Sequence, residues 1–162
     1  SAQHVLDDDY YKRIEAIQFT MSHDDGKKMD DTNEADVILL GVSRTSKTPT
    51  SIYLANRGYK TVNIPLVLDQ KIPEDLKTNK ISCIIGLIAD PERLSDIRRN
   101  RVAIMKDQNI KEYTDLNFIK KEVEDSKNLF KRNNWPIIDV TRRSVEETAA
   151  SILKIIEIKK NK

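Results

Sequence analysis

Apolar residues along this chain fall into short strand-like runs separated by longer stretches of helical periodicity. The strand runs are Val37–Val42, Lys60–Ile64, Ser82–Ala89 and Pro136–Val140. The clearest of them, Val37–Val42 and Ser82–Ala89, are apolar nearly throughout rather than at every second position. That is the pattern of a strand covered on both faces. Helical spacing fills the gaps. A helix from about Thr48 carries Pro49 in its first turn, Ile52, Leu54 and Ala55 on its apolar face and Gly58 as a stop. A short helix follows Pro73. Pro91 opens a helix carrying Leu94, Ile97, Val102 and Met105, and another runs from about Thr114 to Arg132. Ser144-Val-Glu-Glu147 reads as a capping box that starts a last helix through Ile152, Leu153 and Ile156. Ahead of the first strand, Asp7-Asp-Asp9 precedes Tyr10, Ile14, Ile17 and Met21 at helical spacing, with Gly26 as the stop. Ser1–Leu6 reads as a loose lead-in, residues 24–35 as a loop, and the tail from Lys159 as frayed.

Strands alternating with helices predict an α/β fold, with a parallel sheet of about four or more strands and helices on both faces. The division expected is an N-terminal helix and loop over 1–35 and a nucleotide-binding α/β core over 36–162, together one compact domain. The 162 residues are enough for a core without staples. A net charge of +2 is too small to argue for a nucleic-acid partner. The one cysteine, Cys83, lies in an apolar run and reads as a core residue, which fits a reducing compartment. No apolar run is long enough to span a bilayer, and no signal-peptide pattern is present, so a cytoplasmic protein is expected.

The chemistry concentrates after the first strand. Gly41-Val-Ser-Arg-Thr-Ser-Lys-Thr48 joins a buried strand to a helix, and it sets a glycine, a lysine and a hydroxyl at the spacing of a phosphate-binding loop. Residues Gly41, Val42, Ser43, Arg44, Thr45, Ser46, Lys47 and Thr48 are therefore the nucleotide-binding candidates, and the fold is expected to be of P-loop type. Backbone N–H groups would cradle phosphate oxygens, Lys47 would offset their charge, and Thr48 could hold magnesium. Ser46 stands where a second glycine is usual, which is tolerable if its backbone is in the helical region.

In parallel sheets ligands sit beyond the carboxyl ends of the strands. Asp90, at the end of the third strand, is placed either to hold magnesium with Thr48 or to cap the helix that Pro91 begins. Asp139, near the end of the fourth strand, is a weaker version of the same idea. Arg98 and Arg101 share a helix face at i, i+3, and Arg142 and Arg143 follow the fourth strand. These four are phosphate-binding candidates as a group, although each alone reads as a solvated side chain. His23-Asp-Asp-Gly26 could supply a general base and a metal ligand, or could be a helix end followed by turn residues. No cysteine–histidine metal cluster is present.

These residues carry a family resemblance. Gly41 to Asn56 followed by Gly58-Tyr-Lys-Thr-Val-Asn-Ile-Pro-Leu-Val67 resembles the pyruvate, phosphate dikinase regulatory protein family, which includes the phosphoenolpyruvate synthase regulators. Arg13–Phe19 leading to His23–Gly26, Asp90–Arg101 and Ile138–Ala149 agree in type and order. The resemblance implies a bifunctional enzyme. It would use ADP to phosphorylate an active-site threonine of its target and remove that phosphate with inorganic phosphate, releasing pyrophosphate. It implies ADP as phosphoryl donor, magnesium as cofactor, and Lys47, His23, Asp24 and Asp25 as catalytic residues, with the base open among the last three. Dikinase regulators tend to carry Ser-Lys-Thr in the loop and synthase regulators Gly-Lys-Thr. Ser46 thus favours pyruvate, phosphate dikinase over phosphoenolpyruvate synthase as partner, and a homodimer is compatible with this reading. Family members are longer at the N-terminus, so the chain corresponds to their C-terminal portion. The alternatives from the residues are a small-molecule P-loop kinase, and a nucleotide-binding interaction module without turnover.

Overall fold

The computed structural model describes residues 2–24, 32–67, 71–105 and 113–161. Their elements are α1 (Ala2–Ser22), β1 (Val37–Gly41), α2 (Lys47–Asn56), β2 (Thr61–Pro65), α3 (Asp75–Thr78), β3 (Cys83–Ile88), α4 (Pro91–Met105), α5 (Leu116–Arg132), β4 (Ile137–Asp139) and α6 (Val145–Lys160). The four strands form one parallel sheet in the order β2-β1-β3-β4. This is the α/β architecture that the alternating pattern predicts.

Both faces of the sheet are covered, which is why its strands lack polar alternation. Val37 and Leu39 of β1, with Ile85 and Leu87 of β3, pack with Leu54 of α2 and with Ala149, Ile152 and Ile156 of α6. Ile38 and Leu40 face the other way, with Val62, Ile64 and Ile84, and meet Leu76 of α3 and Phe130 of α5. Successive residues of a strand point to opposite faces, so β1 contributes to two cores at once. Gly86 lets α5 approach the sheet closely. A Cβ there would lie 2.3 Å from Cδ2 of Phe130.

Local signals set the helix ends. Ser144 accepts from the Glu147 amide while Glu147 reaches back to the cap, the capping box that the sequence predicts. Asp115 caps α5 by accepting from the Asn117 amide. α1 begins at Ala2, ahead of the expected start, because Ala2–Leu6 contains neither proline nor glycine to break the ladder. Its far end packs on α2 and β2. Within the expected 24–35 loop, Thr32–Glu34 form a single 3-10 turn. Among the described residues, no helix is long and apolar enough to cross a membrane.

In a parallel sheet all carboxyl ends lie at one edge. Register puts Leu39 level with Asn63 and with Ile85, and Gly41 level with Pro65. The connection from β1 to α2 therefore leaves the sheet between the ends of β2 and β3.

Candidate functional site

The loop after β1 is tight. At Gly41 an added Cβ would come within 2.6 Å of the Thr45 hydroxyl and 2.8 Å of the Leu87 carbonyl, so only glycine lets the loop fold over the strand end. Thr45 donates to the Val42 carbonyl at 2.9 Å, closing the turn from inside. Arg44 and Ser46 both have positive φ, 72° and 62°. Ser46 is in the left-handed region, not the helical one anticipated for it, and its side chain makes no cap bond. A glycine would adopt that backbone without a Cβ penalty. The first amides of α2 thus lack a side-chain cap and carry the positive end of the helix dipole, the arrangement that receives phosphate.

Lys47 starts α2, is only 6% exposed, and its ammonium donates to the Val42 carbonyl at 2.9 Å. Above the loop lies a cleft of about 720 Å³ lined by Ser43, Arg44, Ser46, Lys47, Thr48, Pro49, Pro65, Ile97, Arg101 and Tyr113. A volume of this order suits a nucleotide. Its floor is polar and cationic, while Ile97, Pro65 and Tyr113 give it an apolar wall.

The arginine candidates part company here. Arg101 lines the cleft and is exposed. Arg98 is 1% exposed and turns inward. It donates to Glu122 at 2.7 Å, to the Tyr113 carbonyl at 3.1 Å and to the Ser43 carbonyl at 3.1 Å, and its guanidinium stacks over the Tyr113 ring at 4.7 Å. Arg98 and Arg101 do not share an environment, and Arg98 braces the loop from behind rather than facing the cleft. Helix geometry explains the split: Arg98 is four residues after Leu94, which is buried, so it falls on the core stripe of α4. Ile97, expected on that stripe, is instead 36% exposed at the cleft. Arg142 and Arg143 are exposed outside the cleft lining, and Arg143 bonds Ser151 of α6 at 2.9 Å.

Asp90 caps α4, accepting from the Arg93 amide at 3.2 Å, and its own amide donates to Thr141. It is exposed and is absent from the cleft wall, so Asp90 and Thr48 are not brought together. Asp139 accepts from the amide and hydroxyl of Thr141. Thr48 instead meets Asp24, donating to its Oδ1 at 3.1 Å. Asn63 of β2 donates to both, at 2.8 Å to Asp24 and 2.9 Å to Thr48. His23 is 1% exposed, stacks on Phe19 at 3.9 Å and donates from Nδ1 to the Phe19 carbonyl at 2.7 Å, which fixes that tautomer. Asp25 lies outside the described residues. No group of three or more histidine, cysteine, aspartate or glutamate side chains forms a metal cluster among the described residues. Cys83 is buried, and burial pushes its thiol pKa up, as befits an inert core residue.

Sequence reasoning missed Asn63, Tyr113 and Glu122. Asn63 did carry a signal: it is an amide inside a buried strand, and such a group must find a partner. Glu122 and Tyr113 carried none, because nothing local shows that a glutamate on an amphipathic helix will meet a buried arginine.

The sequence model of the kinase/pyrophosphorylase family matches residues 1–153. The chain belongs to that family. Its relatives include the "Putative pyruvate, phosphate dikinase regulatory protein" of Pelagibacter ubique (strain HTCC1062), 63% identical over 99% of this chain and 59% of that protein. Proteins of the same description from Chelativorans sp. (strain BNC1) and Bartonella bacilliformis are 54% and 56% identical over 95% and 96% of the chain, and over 57% and 56% of their own lengths. The chain thus spans less than two thirds of the curated relatives it matches.

Proposed function

We propose that this kinase/pyrophosphorylase chain is the nucleotide-handling part of a bifunctional regulator of pyruvate, phosphate dikinase. In one direction the hydroxyl oxygen of an active-site threonine of the dikinase attacks the β-phosphorus of ADP. The bond to the bridging oxygen breaks, AMP leaves, and the threonine proton passes to a base in the His23-Asp24-Asp25 segment. In the other direction an oxygen of inorganic phosphate attacks the phosphothreonine phosphorus, forming pyrophosphate and returning the threonine hydroxyl. Phosphoryl transfer of this kind needs positioning and charge stabilisation more than covalent help from the protein.

The observation that carries the proposal is the loop itself. Uncapped amides at the start of α2, the buried Lys47 and the cleft-lining Arg101 surround one nucleotide-sized space. Lys47 and the amides would hold the β-phosphate, and Arg101 would face either the nucleotide or incoming phosphate. Arg142 and Arg143 are assigned only to the approach of the phosphorylated target. Magnesium, when bound, offsets phosphate charge, and the Thr48 hydroxyl is the oxygen donor of the cleft wall that suits it. The names of the relatives supply the target enzyme.

Incubating this chain, and separately a full-length relative, with pyruvate, phosphate dikinase and ADP tests the proposal. Phosphate on an active-site threonine of the dikinase, and its release as pyrophosphate on adding inorganic phosphate, is the expected result. ATP-dependent phosphorylation of a small metabolite instead would favour a small-molecule kinase.

A further inference from the structure

We infer that Asp24, together with Thr48 and Asn63, forms the cation-holding side of the nucleotide site, so that magnesium is held through Asp24 rather than through Asp90. The inference rests on the nucleotide reading of the loop and adds to it the carboxylate that reading lacks. Among the described residues that line the cleft, none is an acid. Behind Thr48, however, Asp24 Oδ1 lies 3.1 Å from the Thr48 hydroxyl oxygen. Magnesium binds oxygens octahedrally at close range, which sets neighbouring ligands roughly 2.9 Å apart. The Asp24–Thr48 pair already has the spacing of two adjacent ligands, and both are the hard oxygen donors this cation takes.

Asn63 gives the second, independent sign. It is 1% exposed, inside β2, and its NH2 group donates to both oxygens of the pair. Its own Oδ1 is buried without a hydrogen-bond partner among the described residues. Leaving a buried carbonyl oxygen unpaired costs about 1–3 kcal/mol, so the arrangement needs a reason. A half-turn of the carboxamide would present Oδ1 to Asp24 and Thr48. Without a cation that would crowd three electron-rich oxygens together, and the NH2 group is the better neighbour. With a cation between them the preference reverses, and the unpaired oxygen gains a partner. As placed, the NH2 group of Asn63 donates to both oxygens. Asp90 has neither property: its carboxylate is exposed and already accepts from the Arg93 amide.

Calorimetric titration of ADP into the protein, in EDTA and then in excess Mg2+, reads the site directly. In the wild type Mg2+ is expected to tighten ADP binding by about tenfold or more, and Asp24→Asn to remove that increment while keeping the affinity measured in EDTA. Asp90→Asn is expected to retain the increment. Asn63→Asp supplies a gain-of-function arm. Two facing carboxylates should lower its melting temperature in EDTA, Mg2+ should restore it, and Mn2+ binding followed by electron paramagnetic resonance should tighten severalfold. An intact increment in Asp24→Asn, its loss in Asp90→Asn, or no response of Asn63→Asp to either metal would overturn the cation site. Absence of ADP binding by the wild type in both buffers would instead overturn the nucleotide reading beneath it.

Discussion

At its Ser43 end the loop after β1 is tied to α4 and α5 by a buried guanidinium, whereas at its Thr48 end it meets α1 and β2 through a hydroxyl, a carboxylate and a carboxamide. The first flank is a structural brace built on a buried ion pair, although Arg98 Nε itself makes no hydrogen bond among the described residues. Arg98 joins the Ser43 carbonyl to Glu122 and to the Tyr113 carbonyl, and Tyr113 returns to the loop through a 3.3 Å contact between its hydroxyl and that of Ser43. The second flank leaves a buried acceptor, Asn63 Oδ1, without a partner. The contrast separates holding from binding. The first flank sets an acid against a base, Glu122 against Arg98, whereas the second sets an acid, Asp24, against a hydroxyl and a carboxamide. Both flanks are polar, so polarity alone does not distinguish them.

The largest effect is expected on the braced flank. Arg98→Ala leaves Glu122 as an uncompensated buried charge, and breaking such a pair destabilises a fold by about 3–5 kcal/mol, measurable as a lower urea midpoint. The double variant Arg98→Met with Glu122→Leu sharpens the point. Replacing a buried pair with apolar groups of similar size is often neutral, so stability should return. The tether on Ser43 would still be missing, and ADP affinity should stay about tenfold down, the scale of one charge-assisted hydrogen bond. Full recovery of both would show that the brace has no part in nucleotide binding.

Lys47→Ala follows. Removing the loop cation should weaken ADP about 100-fold by calorimetry, near the upper range for a hydrogen bond to a charged group. Unchanged affinity would sink the phosphate-loop assignment. Ser46→Gly is smaller and of opposite sign. Relieving a left-handed residue of its Cβ is worth roughly 1 kcal/mol, partly offset by the flexibility of glycine in the unfolded chain, so a small rise in melting temperature is expected. ADP affinity should barely move. A clear loss would mean that the Ser46 hydroxyl itself contacts phosphate.

Most of the sheet was legible because its signal is continuous. Val37–Leu40 and Cys83–Ala89 carry no polar side chain whichever way each residue points, and a strand buried on both faces requires that. The Ser144 capping box was legible because its partners lie three residues apart. The loop after β1 could be nominated as a candidate for the same reason, its glycine, lysine and threonine being close neighbours in sequence. What escaped depends on distant partners. Spacing alone puts Arg98 and Arg101 on one face of α4; that Arg98 instead turns into the core is decided by Glu122 of α5 and by the Ser43 carbonyl. Asp24 could be nominated from its sequence neighbours, His23 and Asp25. Its meeting with Thr48 and Asn63 requires α1 to dock against β2, a contact between residues 41 positions apart at Thr20 and Thr61.

That docking offers the smallest test, and the only one set by pH. Glu15 of α1 pairs with Lys60, just before β2, at 2.8 Å, and Lys60 also lies over the Phe19 ring. Behind them Thr20 accepts from the Thr61 amide at 3.1 Å. The hydrogen bond and charge of Lys60 hold the Glu15 carboxyl below its usual range, and Glu15 raises the Lys60 ammonium above its own. A lowered carboxyl pKa stabilises the folded state above its unfolded value and loses that effect as the pH falls through the folded one. A raised ammonium pKa stabilises below its unfolded value and fades as the pH rises through the folded one. The pair therefore supports α1 across the neutral range and fails at both extremes. Glu15 is exposed, so the effect should be slight and should weaken further in high salt. Comparing melting temperatures of the wild type and Glu15→Gln from neutral pH down through the carboxylate range should show a small difference that closes on acidification. If α1 carries the Thr48 flank and not the Ser43 flank, hydrogen exchange in Glu15→Gln should quicken at the Thr61 amide, which bonds to Thr20. The amides of α4, around Arg98, should keep their protection. Equal quickening at both would mean that the two flanks are one mechanical unit, and the contrast between them would fall.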